Sequence, residues 1–317
     1  MTAARASRLL KVTVLGAAIG ALIAGQGLGA AAQAVDATTL DKGAAESVST
    51  YYLALGDSAS VGIQPNKGET DKGYVDVLAR RVREHLPSLR LRNVGCAGET
   101  SRSMITGINS PCRYHAGSQL QAAVAFLEAH PGQVVFVTVN IGVNDFVMRC
   151  LDGRTGLIER ECAVEQGPRL QARVEAIVTA LRAAAGSRVP ILGMNYYNPL
   201  LGFWGLVPGG RAIARTDQRA WVVFNSGLST AYEGAGATSV DVASTFRIDD
   251  FENTVVVPDR GELPVNVATA CEWTWFCSSR FFGDPHANNI GYRKIARTFY
   301  EVLSDLACLD DISSLGS

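Results

Sequence analysis

Four short stretches carry the groups that acyl transfer needs, and they follow one another in order. The first is Gly56-Asp57-Ser58, where a hydroxyl closes an apolar run. The second is NVGCAGETS, residues 93–101, with Gly98 near its centre. The third is NIGVNDF, residues 140–146, which contains Asn144. The fourth is GDPHANNIGY, residues 283–292, with Asp284 and His286. A serine hydroxyl is a weak nucleophile until an adjacent base takes its proton. Of the four histidines, His85 and His130 stand at helix ends just before a proline, and His115 has no supporting neighbours. His286, with a carboxylate two residues before it, is the one placed for general-base work. Backbone N–H groups of Ser58 and Gly98 and the amide of Asn144 are candidate donors to an oxyanion; each such donor is worth roughly 100- to 1000-fold in rate. Taken singly, each block also reads as a plain cap or turn, since Asp, Ser, Asn and Gly are turn formers.

These residues must be held by something, and the hydropathy pattern supplies it. Apolar runs at 51–55, 89–94, 134–139, 189–194 and 239–242 read as strands. Helical spacing is expected over 74–86, 119–129, 168–185, 213–232 and 290–306, with Pro168 in the first turn of its helix. Alternating strands and helices predict a three-layer α/β sandwich around a parallel sheet. Ligands of such sheets bind beyond the carboxyl ends of the strands, which is where the first three blocks fall. The segments 149–167 and 247–280 lie outside the alternation and read as loops stapled by a cysteine pair each.

The four blocks together resemble the SGNH (GDSL) hydrolases, a superfamily of esterases and lipases. Ser58 is similar to its nucleophile, Gly98 and Asn144 to its oxyanion-hole residues, and His286 to its base, with Asn288 and Gly291 following as they usually do there. The resemblance spans Gly56 to Gly291 and implies a flavodoxin-like α/β/α fold with a doubly wound sheet. Two departures stand out. Ser60 breaks the literal GDSL string, and Gly283 occupies the place three before the histidine where the family usually has its acid. Either Asp284 or a backbone carbonyl near Gly283 must then orient the ring. No Gly-x-Ser-x-Gly elbow occurs, which disfavours the α/β-hydrolase plan.

Composition bounds the partners. The chain has 317 residues and a formal net charge of −1, giving no electrostatic reason to invoke nucleic acid or an anionic surface. The basic run Arg80-Arg81-Val82-Arg83 reads as a solvated helix face. Residues 1–34, with a basic start, an apolar run over 12–24 and a small-residue end at Ala34, have the form of a secretory signal peptide. Residues 35–317 are then a single exported domain without a stable membrane anchor, expected as a monomer. Six of seven cysteines fall into local pairs that suit an oxidising compartment: Cys96–Cys112, Cys150–Cys162 and Cys271–Cys277. Cys308 is left over as a buried thiol. No spacing suggests a metal site, and no cofactor is expected.

The expected activity is hydrolysis of a carboxylic ester through an acyl-enzyme on Ser58. The aromatic and aliphatic run NYYNPLLGFWGLVPGG, residues 195–210, suggests a pocket or lid for a fatty-acyl group, or else a buried turn over the sheet edge. A carbohydrate or acetyl esterase, and an inactive secreted binding module of the same fold, are the alternatives.

Overall fold

The run Val134–Asn140 is buried at every position, the mark of a strand covered by helices on both faces. The computed structural model describes residues 49–306, so the leader at 1–34 and Cys308 lie outside the described residues. The first half holds β1 (Thr50–Gly56), α1 (Tyr74–Val82), β2 (Leu89–Asn93), α2 (Ser101–Thr106), α3 (Gln119–Ala129) and β3 (Val134–Asn140). The middle holds α4 (Val143–Cys150), the short strands β4 (Leu151–Asp152) and β5 (Leu157–Ile158), then α5 (Arg160–Ala185) and β6 (Ile191–Met194). A 3₁₀ segment, Pro199–Gly205, leads into α6 (Gly210–Gly234), β7 (Thr238–Val240) and α7 (Val242–Thr245). The hairpin β8 (Thr254–Val257) and β9 (Gly261–Pro264), α8 (Val265–Trp273) and α9 (Asn289–Leu306) complete it.

Five parallel strands form the central sheet in the order β2-β1-β3-β6-β7. This is the flavodoxin-like, doubly wound order, whose switch point lies between β1 and β3. The register there pairs Gly56 with Asn140, so both chains leave the sheet at the same edge and side by side. α1 packs on α9 while α3, α5 and α6 pack in a row. The first pair is joined by Tyr74 stacked on Phe299, ring centroids 4.7 Å apart. In α9, Tyr292, Ile295, Ala296, Phe299 and Leu303 are buried, the three- and four-residue steps of an amphipathic helix.

Two expectations change. α5 starts at Arg160 instead of at Pro168, which sits inside the helix. Proline removes the N–H that would bond the Val164 carbonyl, but Val164 is 61% exposed, so the lost bond falls on a solvent-facing part of the helix, where it costs less than in the interior. α1 ends at Val82, short of Leu86, because residues 83–86 tighten into a turn ahead of Pro87. The three expected disulfides are present. The segments that they staple are more ordered than plain loops: one carries the β4–β5 hairpin, the other the β8–β9 hairpin and α8.

Candidate active site

The turn after β1 is held by a buried carboxylate. Asp57 is fully buried and accepts hydrogen bonds from the Ala59 N–H (3.0 Å), the Asn140 Nδ2 amide (2.7 Å) and the Tyr196 hydroxyl (2.6 Å). Burial pushes this carboxyl up to about 6, against the pull of those three donors. Gly56 cannot carry a side chain, since a Cβ there would meet Asn140 Oδ1 at 2.1 Å. The outcome is that Ser58 is fixed just beyond the sheet, half-buried, at the mouth of the crevice between β1 and β3.

Asn144 sits in the first turn of α4, behind Gly142, whose φ of 117° favours glycine. Its Nδ2 donates one hydrogen bond to the Glu99 carbonyl at 2.8 Å; the amide carries a second N–H. The next residue fixes that arrangement. Asp145 accepts from both the backbone N–H and the hydroxyl of Ser101, each at 2.7 Å. Arg173 of α5 covers the same cluster, with Nε 2.7 Å from Ser101 Oγ and a terminal nitrogen 3.4 Å from Asp145. Asp145 thus clamps the start of α2, and with it the Gly98 loop, to the start of α4. Gly98 adopts φ 81°, a left-handed conformation, and the Cys96–Cys112 disulfide ties its loop to residues further on.

His286 lies in the turn before α9. The Asp284 carboxylate accepts from His286 Nδ1 (2.8 Å) and from the backbone N–H of the same residue (3.0 Å). Partial burial raises the Asp284 carboxyl, but the hydrogen bonds and charge of His286 outweigh it and leave the group below its ordinary value. An ionised carboxylate only accepts, so Nδ1 carries the proton and Nε2 is the free lone pair. The carboxylate that meets Nδ1 thus stands two residues before the histidine, where the third residue before it, Gly283, has no side chain to offer.

Ser58, Asn144 and His286 line one cavity of about 180 Å³. Its walls are apolar: Val143 and Val147 from α4, Tyr196, Tyr197, Pro199 and Leu200 from the run after β6, and Trp221 from α6. Gly98 is not among the lining residues; its neighbour Glu99 joins it to the site through Asn144. The other three histidines stay apart, His130 stacking on Phe126 and bonding the Phe126 carbonyl at 2.8 Å. Sequence reasoning did not find Tyr196 as a partner of Asp57, nor Trp221 as a wall of the cavity. The aromatic composition of 195–210 was a signal for the first; nothing in the pattern marked the second. Among the described residues, no three of His, Cys, Asp or Glu gather as metal ligands, and no helix is long and apolar enough to cross a membrane.

Comparison with solved structures finds chains of similar fold. The extracellular lipase of Streptomyces rimosus superposes with a TM-score of 0.52 at 18% identity, covering 81% of this chain and all (100%) of that one. Phospholipase A1 of Streptomyces albidoflavus NA297 gives 0.52 at 17% identity, covering 82% and 100%. At such identities the likeness concerns the fold. No curated protein sequence matches the chain. The model of the GDSL-like lipase/acylhydrolase family matches residues 54–294, from inside β1 to inside α9, and the chain belongs to that family as an SGNH-type ester hydrolase.

Proposed function

We propose that the chain is a secreted serine esterase that cleaves esters of apolar, fatty-acyl type through an acyl-enzyme on Ser58. The observation that supports it is that Ser58, Asn144 and His286 line one apolar-walled cavity, with Asp284 on the far nitrogen of the imidazole. His286 Nε2 takes the Ser58 proton as Oγ attacks the ester carbonyl carbon. The N–H groups of Ser58 and Gly98 and the Asn144 amide receive the oxyanion. His286 then gives its proton to the leaving alkoxide. Water attacks the acyl-enzyme with His286 as base, and the proton returns to Ser58 as the acid departs. Asp284 holds the Nδ1–H tautomer and stabilises the imidazolium.

An apolar wall favours an acyl chain over a sugar, because burying hydroxyls without partners is costly. Removal of residues 1–34 by a signal peptidase, export and a monomeric state complete the proposal; three disulfides agree with an oxidising compartment. Titration with an aryl-leaving alkylphosphonate tests it. One equivalent should bind wild type and none should bind Ser58→Ala, with nitrophenyl butyrate hydrolysis falling by at least ~1000-fold in the variant. A Ser58→Ala protein that keeps its hydrolysis rate overturns it.

A further inference from the structure

Outside the cavity, one buried side chain bonds both the end of β1 and the loop that follows β2. Gln119, the first residue of α3, is fully buried. Its Oε1 accepts the Gly56 N–H at 2.7 Å, and its Nε2 donates to the Gly56 carbonyl at 3.0 Å. The carboxamide thus exchanges both bonds with the last residue of β1, as the facing residue of a further strand would. The ladder between β1 and β2 has already ended there, at Ala54 and Asn93. On that side the Gly56 carbonyl has one other bond, from the Cys96 N–H at 3.0 Å. The same Nε2 lies 3.3 Å from Glu99 Oε2 and 3.1 Å from the Tyr114 hydroxyl oxygen, so its hydrogens are shared among three acceptors. Glu99 is fully buried as well. Its Oε2 also accepts from the Ser110 hydroxyl at 2.9 Å, and its Oε1 has no partner among the described residues.

Gly56 stands two residues before Ser58, Glu99 follows Gly98, and the Glu99 carbonyl holds the Asn144 amide at 2.8 Å. We infer that Gln119 is a positioning residue for ester hydrolysis. Through Gly56 on one side and Glu99 on the other, it sets the spacing of the Ser58, Gly98 and Asn144 donors. The inference rests on the reading that these three groups receive the oxyanion. Asp145 fixes the Gly98 loop to α4; Gln119 fixes it to the end of β1, beside the backbone bond from Cys96. A preorganised donor set must hold its geometry within roughly 0.5 Å, and a misplacement of about 1 Å costs on the order of 100-fold in rate. A Gln119 that only satisfied buried backbone would affect stability and leave the chemistry of each folded molecule alone.

The test measures nitrophenyl butyrate hydrolysis by wild type, Gln119→Leu and Gln119→Asn, with the competent sites of each counted by exhaustive titration with an alkylphosphonate. Leucine keeps the bulk and removes every bond of the carboxamide. Asparagine keeps the carboxamide but is a methylene too short to span Gly56 and Glu99. In each variant kcat per titrated site should fall by ~10-fold or more while KM stays within ~3-fold of wild type. Lost folding alone lowers the number of titrated sites and not the rate of each. If Gln119→Leu does not fold, Gln119→Asn decides. A fall of less than ~10-fold in kcat per site, whatever the change in melting temperature, overturns the inference and leaves the esterase reading standing. A loss carried by KM with kcat unchanged does the same. A wild type inert to both the ester and the phosphonate overturns both.

Discussion

Oδ1 of Asp284 lies 2.8 Å from Nδ1 and 3.0 Å from the backbone nitrogen of His286. One carboxylate oxygen therefore binds the ring and the backbone of the residue two places on, in the manner of an Asx turn. The turn around Pro285 makes a two-residue spacing sufficient to orient the imidazole. Asp284→Asn should keep the fold and lower kcat by ~100- to 10,000-fold, because an amide donor facing Nδ1 selects the wrong tautomer. Steady-state kinetics beside thermal unfolding of the same protein would show this; a loss under ~5-fold would assign the orientation to another group.

Asn144 spends one amide hydrogen on the Glu99 carbonyl, 2.8 Å away. With the other N–H directed at a developing oxyanion, Asn144→Ala should cost ~100- to 1000-fold in kcat and leave KM within ~3-fold. An equal rise in KM with kcat untouched would make the residue a ground-state binder.

The clamp at Asp145 makes a different prediction. This carboxylate is 6% exposed and holds Ser101 and Arg173 together. Asp145→Ala leaves the buried Ser101 N–H without its acceptor and the half-buried Arg173 guanidinium without its carboxylate, bonded to the Ser101 hydroxyl alone, so stability should fall by about 3 kcal/mol. Activity should fall with it, since the clamp aligns the Gly98 loop with Asn144. Denaturant unfolding reads the first effect, and kcat on nitrophenyl butyrate the second.

Loss of the Cys96–Cys112 bridge should act on the same loop. The bridge joins residues 16 apart, a span for which cross-linking is worth about 3 kcal/mol. The double change to alanine should lower the unfolding free energy by about 2–4 kcal/mol and reduce kcat more than it raises KM. Matching loss from Cys271 and Cys277, far from the oxyanion donors in sequence, should leave kcat less affected.

Asp217 gives a pH dependence with a definite sign. Burial pushes its carboxyl up to about 6, partly offset by the hydrogen bond from the Ile158 N–H; in an unfolded chain it titrates near ~3.9. Between those values the folded state holds more protons, so this group's contribution to stability falls as pH rises and is lowest above about 6. Asp217→Asn keeps an acceptor for Ile158 and removes the buried charge. It should raise stability at neutral pH by roughly 1–2 kcal/mol and flatten the profile between about 4 and 6. Thermal melts across pH 4–8 would check it.

Much of this molecule is readable along the chain because its determinants are local. The apolar runs fix five strands, their alternation with helices fixes parallel pairing, and parallel pairing brings the carboxyl ends of β1 and β3 to one edge. Ser58 and Asn144 follow those ends directly, which is why both were legible. The disulfides were legible too, since each joins neighbours 6 to 16 residues apart. Three features depended on the tertiary structure. The hydrogen bond from Tyr196 to Asp57 links residues 139 apart, and no local pattern encodes a contact across the sheet edge. The orientation of His286 rests on the dihedral angles of one turn, which spacing alone leaves open between a carboxylate and a carbonyl. Trp221 occupies an inward helical position, and periodicity says only that such a residue is buried. Whether its surroundings are packed core or substrate cavity is decided where α6 meets α4 and the segment after β6, and that meeting is a property of the fold.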